Sequence, residues 1–250
     1  MRPLFSAVKR QAQQMGLPIY QPGRIRDEAA QQRIHDANAD VMVVVAYGQI
    51  LPGTLIAEPP MGTLNVHASL LPRHRGPAPI EWAIMRGDRE TGATIMQMDA
   101  GVDTGPILAQ ERVKIGDDET APQLEGRLAE LGGRLLVRTL RDFSDGRIVP
   151  VPQPVEGVTH APRLKSEDGK LDPAIMPAQE VDRRVRALGQ RLGTWIRLPA
   201  GEVKVLRGHV DAADAGGIAV PTSNGVYVID ELQPPGGRPM SAAAWLRGRR

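Results

Sequence analysis

Gly62-Thr63-Leu64-Asn65-Val66-His67-Ala68-Ser69-Leu70-Leu71-Pro72-Arg73-His74-Arg75-Gly76 is the densest stretch of the chain, and Met98-Asp99-Ala100-Gly101-Val102-Asp103-Thr104-Gly105 completes it one helix and one strand later. Successive side chains of a strand point to opposite faces. Thr63, Asn65 and His67 therefore share one face, and Leu64 and Val66 the other. With Asp103, an amide, an imidazole and a carboxylate are delivered to strand and loop ends, where the sites of open α/β sheets gather. This set suits acyl transfer to an amine. Asn65 offers an N–H donor of constant strength to a developing oxyanion. His67 titrates near neutrality, and Asp103 can orient or charge-stabilise the imidazole or relay protons through water.

Working outward, Val41-Met42-Val43-Val44-Val45-Ala46 is a β-branched run that predicts a strand buried on both faces, as in a parallel sheet. Residues 6–15 and 27–38 predict weak helices. Pro79 in a first turn and Gly87 at a terminus bracket another helix. Ala93–Asp99 reads as a strand. Thr120 and Gln123 have capping-box spacing, and Leu124, Leu128, Leu131, Leu135 and Leu140 form the apolar stripe of a long helix. Strands alternating with helices predict an α/β domain over residues 1–147. Pro150, Pro152, Pro154 and Pro162 predict an extended, rather stiff linker over 148–163. Residues 164–250 begin with a helix carrying Val181, Val185 and Leu188 on one face. Short strands follow at 195–198, 203–206, 218–220 and 226–229, with a hairpin at Asn224-Gly225. They predict a small barrel.

The 250 residues contain no cysteine, which excludes disulfides, thiolate zinc sites and a cysteine nucleophile. No Gly-x-Ser-x-Gly elbow or phosphate-binding glycine loop is present. No apolar run reaches the roughly 18 residues of a membrane span, and Met1–Phe5 lacks an apolar signal core. A cytoplasmic protein is expected. His160 and His209 stand alone, so no metal is expected, and His74 reads as a solvated loop residue. Trp82, Trp195 and Trp245 read as packing residues. The net charge is +2, with 14 Lys and Arg against 10 Asp and Glu from Arg163 onward. That excess lies in Arg183-Arg184-Val185-Arg186, Arg191, Arg197, Arg207 and Arg247-Gly248-Arg249-Arg250.

Asn65-Val66-His67-Ala68-Ser69-Leu70-Leu71-Pro72-Arg73-His74-Arg75-Gly76-Pro77-Ala78-Pro79-Ile80, together with Glu90-Thr91-Gly92-Ala93-Thr94-Ile95-Met96-Gln97-Met98 and Asp99–Gly105, resembles the paired signature of the folate-dependent formyltransferases. The Arg-x-Arg-Gly-x-Ala-Pro-Ile form of the loop resembles members acting on an aminoacyl-tRNA rather than on glycinamide ribonucleotide. The likeness continues through Leu164-Lys165-Ser166-Glu167-Asp168-Gly169 to Pro239-Met240-Ser241. It implies a Rossmann-like domain followed by an OB-like barrel that binds tRNA. It also implies 10-formyltetrahydrofolate as donor, and as acceptor the α-amine of methionine on initiator tRNA. Asn65, His67 and Asp103 match the catalytic residues, acting by direct amine attack, and Ser69, Leu70, Leu71 and Pro72 match the folate loop. Tyr47, Gly48, Gln49, Ile50 and Asp99 would line the pterin side. An RNA partner makes the basic excess intelligible as phosphate contacts.

The family opens with a strand, a glycine turn, a helix, a second strand and a basic loop, whereas this sequence begins near the next helix. The resemblance thus implies an N-terminally incomplete sheet with exposed edges, expected from an internal start, with a genuinely shortened protein as the alternative. A monomer is expected. The rival readings are a formyltransferase acting on a small amine such as an amino sugar, and an inactive RNA-binding fragment.

Overall fold

A computed structural model describes residues 5–199, 201–211 and 217–248. Arg249, Arg250 and Met1–Leu4, part of the charge and leader readings above, lie outside the described residues. After α1 (Ala7–Gln14) and α2 (Glu28–His35), the first domain is built on β1 (Met42–Val44), β2 (Thr63–His67), β3 (Glu90–Gln97) and β4 (Ile107–Lys114). The sheet runs β1-β2-β3-β4, and β1/β2 is its parallel pair. Both remaining pairs are antiparallel. Helix α3 (Gly53–Ala57) joins β1 to β2, and α4 (Pro79–Arg86) joins β2 to β3.

The sheet is Rossmann-like, but the strand expected over 41–46 is shorter and more exposed than its composition predicts. Val43 is 36% and Val45 59% exposed. β1 pairs with β2 alone, so its β-branched run meets core on part of its surface only. The strand β4 escaped the sequence reading. Its Arg112 and Lys114 face solvent, and with Gln110 they dilute the apolar signal of an edge strand.

The long helix α5 (Ala121–Ser144) follows its prediction closely. Gln123 Oε1 accepts from Thr120 N–H at 2.9 Å, closing the capping box. Leu124, Leu128, Leu131 and Leu135 are buried against Leu64 and Ile95 of the sheet. Each such side chain contributes roughly 1.5–3 kcal/mol on burial. Gly132 lets the helix approach: a Cβ there would lie 2.8 Å from Val66 Cγ1.

Beyond the proline-rich stretch, α6 (Ala178–Leu188) precedes β5 (Thr194–Leu198), β6 (Gly201–Asp211), β7 (Ile218–Pro221), β8 (Val226–Gln233), β9 (Met240–Ser241) and α7 (Ala242–Arg247). The strands form an antiparallel half-barrel, β5-β6-β8-β7, with β9 on β8. Helix α6 serves two cores. Val181 and Val185 pack with the half-barrel, and Ala187 and Leu188 with the α/β domain.

This junction uses part of the basic excess. Arg191 bridges buried Glu81 at 2.6 Å and Glu125 at 2.7 Å. Arg186 pairs with Asp182 and donates to Glu119 O, while Arg184 pairs with Glu180. Arg183 donates to Met85 O. Arg183, Arg186 and Arg191 therefore hold the domains together, Arg184 pairs within its own domain, and Arg207 stays exposed. Spacing shows charge, but it does not show which carboxylates the fold brings opposite.

Candidate active site

β2 divides its side chains as the period requires. Leu64 enters the core under α5 with Val66 packed beside it, while Thr63 Oγ1 on the other face donates to Ile56 O. Asn65 and His67 continue that second face to the strand end. Asp103 arrives from the loop between β3 and β4 with φ +53°. The three predicted residues meet. Asn65 Nδ2 donates to Asp103 Oδ1 at 3.3 Å, and His67 Nδ1 lies 3.6 Å from the same oxygen. Asp103 Oδ2 accepts from Gly76 N–H at 2.8 Å.

The tautomer of neutral His67 follows from its other contact. Nε2 lies 2.9 Å from the carbonyl oxygen of His74. A carbonyl only accepts, so Nε2 carries the hydrogen and Nδ1 presents its lone pair toward Asp103. Burial lowers the imidazole pKa below its ordinary 6.5, against the opposing charge of Asp103 and the bond to His74 O. Burial thus biases His67 toward the neutral imidazole.

His74 is not a solvated loop residue: it is 2% exposed, and its Nε2 lies 2.6 Å from Asp88 Oδ2. Asp88 also accepts from Arg73 at 2.6 Å. Burial works to raise the Asp88 pKa, but the hydrogen bonds from His74 and Arg73 outweigh it and hold the carboxyl below its usual range. This cluster fixes the loop whose carbonyl selects the His67 tautomer. An i, i+14 pair across a helix leaves no periodic signal by which it could have been found.

Residues 69–72 are largely turned inward. Ser69 Oγ donates to Arg73 O at 2.6 Å, and Leu71 N–H donates to Thr94 Oγ1. Gln110 Nε2 donates to Leu71 O and to Thr94 Oγ1. Ser69, Leu71 and Pro72 are buried, and Leu70 is half-buried. Asp99 Oδ1 accepts from Gly101 N–H and Thr104 Oγ1, shaping the loop that carries Asp103.

On the other side, β1 pairs Val44 with Asn65, so the loop leaving β1 runs on beside the site. Tyr47 is 41% and Ile50 77% exposed. Gly48 has φ +81°, and Gln49 Oε1 accepts from Ile25 N–H. Val102 on the Asp103 loop is 69% exposed. Polar groups that can hold a carbonyl thus stand beside apolar side chains that can cover a flat ring system.

The proline-rich stretch is held along its length by hydrogen bonds to the first domain. Val151 exchanges backbone hydrogen bonds with Ile107, and Thr159 and Ala161 bond both ends of Arg75. Gln153 reaches the backbone of the Asp103 loop. Gly76, at φ +124°, lies where a Cβ would come 2.5 Å from Ala161 O. A separate groove of about 1150 Å³ runs between the domains, past Arg89, Lys114, Arg127, Arg183 and Arg186. Asp88, Glu90, Asp117 and Asp182 line it too, leaving it close to electrically balanced. Among the described residues no cluster of three or more His, Asp or Glu forms a metal-binding group. No described helix is long and apolar enough to cross a membrane.

Residues 2–140 match the family model described as formyl transferase, and residues 163–250 match formyl transferase, C-terminal domain. The chain is 47% identical over 255 residues to methionyl-tRNA formyltransferase of Halorhodospira halophila, an alignment covering 97% of this chain and 82% of that protein. Its fold is also similar to part of HypX from Aquifex aeolicus, a structure in complex with tetrahydrofolic acid. That match has a TM-score of 0.63 at 19% identity and covers 83% of this chain and 38% of HypX. A sugar N-formyltransferase from a Shewanella strain superposes with a TM-score of 0.64 at 22% identity, over 78% of each chain.

Proposed function

The chain belongs to the formyl transferase family, and from that premise we propose that it transfers a formyl group from 10-formyltetrahydrofolate to the α-amine of methionyl initiator tRNA. The observation that carries the chemistry is the convergence of Asn65, His67 and Asp103, with His67 Nδ1 3.6 Å from the carboxylate. The acceptor is argued from the relative at 47% identity, which aligns through both domains.

In this reading the pterin ring covers Tyr47, Ile50 and Val102, and the formyl carbonyl lies against Asn65. Asn65 has one amide N–H on Asp103 and a second to offer the substrate. The amine attacks the formyl carbon, forming the new C–N bond, and the second N–H stabilises the resulting oxyanion. His67 Nδ1 accepts the proton released by the amine, and the adjacent Asp103 stabilises the imidazolium. The same proton passes to N10 of the folate as the old C–N bond breaks. No covalent enzyme intermediate is required. Ser69–Pro72 and Asp99 contribute by shaping the two loops that bound the folate.

The decisive experiment is formyl transfer from 10-formyltetrahydrofolate to methionyl initiator tRNA, with an amino-sugar nucleotide as competing acceptor. Transfer to the tRNA that weakens as salt rises supports the reading. Transfer to the sugar amine alone, or to neither, overturns it.

A further inference from the structure

Residues 151–161 cross from β4 to the loop after β2 as a strap fixed at both ends. Val151 is paired with Ile107 at 2.7 and 2.8 Å. Thr159 and Ala161 bond Arg75 at 2.9 and 2.7 Å. Between these anchors, Pro152 and Pro154 flank Gln153 and narrow the backbone conformations open to it. A primary amide has two N–H donors and one oxygen with two lone pairs. Gln153 uses all of them. Its Nε2 donates to Asp103 O and Gly105 O, each at 2.8 Å. Its Oε1 accepts from Arg75 Nε at 3.0 Å and Nη2 at 2.7 Å.

Asp103 needs such support. It is not glycine, yet it adopts φ +53°, a conformation that persists only where the surroundings over-determine it. Gly76 N–H holds its carboxylate from one side, and Gln153 holds its carbonyl from the other. The strap thereby ties together the loops carrying Gly76 and Asp103.

We propose that Gln153 is a positioning residue whose side-chain amide brackets Asp103, Gly105 and Arg75 and so sets the Asp103 carboxylate against Asn65 and His67. The bracket is specific in chemistry. Glutamate would present oxygens to two carbonyls, asparagine is one methylene short, and methionine offers no donor. Its consequence for rate rests on the function proposed above, because displacement of a reacting group by about 1 Å costs on the order of 100-fold.

The test uses the whole chain, wild type beside Gln153→Met, with amide hydrogen exchange first and formyl-transfer rates second. Loss of the bracket should speed exchange in residues 101–105 by about tenfold, with α5 and β8 unchanged. It should lower kcat by roughly 10–100-fold while folate KM stays within about threefold. Gln153→Glu keeps an acceptor for Arg75 but loses both donors, so it should lose kcat to a similar degree. A Glu variant with wild-type kcat would overturn the link to Asp103. Unchanged exchange at 101–105 would overturn the proposal whether or not the chain transfers formyl. Faster exchange everywhere, with kcat and KM degraded together, would also overturn it by making Gln153 a general structural residue. If wild type transfers no formyl but the local exchange difference is present, the bracket stands and the proposed function falls.

Discussion

The loops at 45–50 and 99–105 border the same site, yet they are held in different ways. The Asp103 loop is tied internally by Asp99, across to Gly76 and outward to Gln153. A Cβ on Gly105 would collide with Gln97 O, so the chain there is pressed against β3. The Tyr47 loop has its anchor at Gln49 and leaves Val45, Tyr47 and Ile50 exposed. Reacting groups must be held to within fractions of an ångström, and polar contacts do that. A ring-binding wall needs apolar area that the ligand itself covers. In the proposed function, one side of the site is built before substrate arrives and the other is completed by it.

The comparison can be broken most severely at its rigid side. Asn65→Ala should lower kcat by about 10²–10³-fold, as for other oxyanion donors, with folate affinity by calorimetry changed only a few-fold. Near-normal turnover would remove Asn65 from the mechanism. Gly76→Ala, set against Ala161 O at φ +124°, should cost roughly 1–3 kcal/mol of stability. A melt would record that cost, and rate assays should show a kcat loss approaching 100-fold. Unchanged melting and rate would mean that the strap yields freely.

At the open side the effects should be smaller and confined to binding. Ile50→Ala should raise folate KM by roughly 5–20-fold, the equivalent of about 1–2 kcal/mol of apolar contact, with kcat within about twofold. An equal loss in kcat would show that both loops act on the chemistry. The finest test is the His67 titration by NMR. Its midpoint should lie below 6.5, and lower still in Asp103→Asn, which removes an opposing charge. The sign extends to stability: unfolded His67 takes a proton more readily than folded, so stability falls as pH drops from 6.5 through the folded pKa. A midpoint above 6.5 would mean that Asp103 outweighs burial.

The proposed constellation of Asn65, His67 and Asp103 was legible because its members are carried by local pattern. Asn65 and His67 are two residues apart on one strand, and Asp103 sits in a glycine-bracketed turn whose left-handed φ its neighbours tolerate. The stripe of α5 and its capping box were equally plain. The folate-side assignments at Ser69–Pro72 came from resemblance. The structure adds that Ser69 and Leu71 hold the loop's own shape, a role that residue type alone does not distinguish from ligand contact.

Sequence alone determined the faces of β2, the stripe and cap of α5 and the half-barrel's short strands, because periodicity, capping and turn chemistry act over a few residues, and resemblance supplied the family and the trio. Tertiary structure alone decided what is buried and what is paired. His74 meets Asp88 across 14 residues, Gln153 meets Asp103 across 50, and Arg191 meets Glu81 across 110. Val43 and Val45 lie at an edge that their composition does not declare. Hydrogen bonds and burial depend on distance through space, and for these groups that distance exists only once the chain has closed on itself.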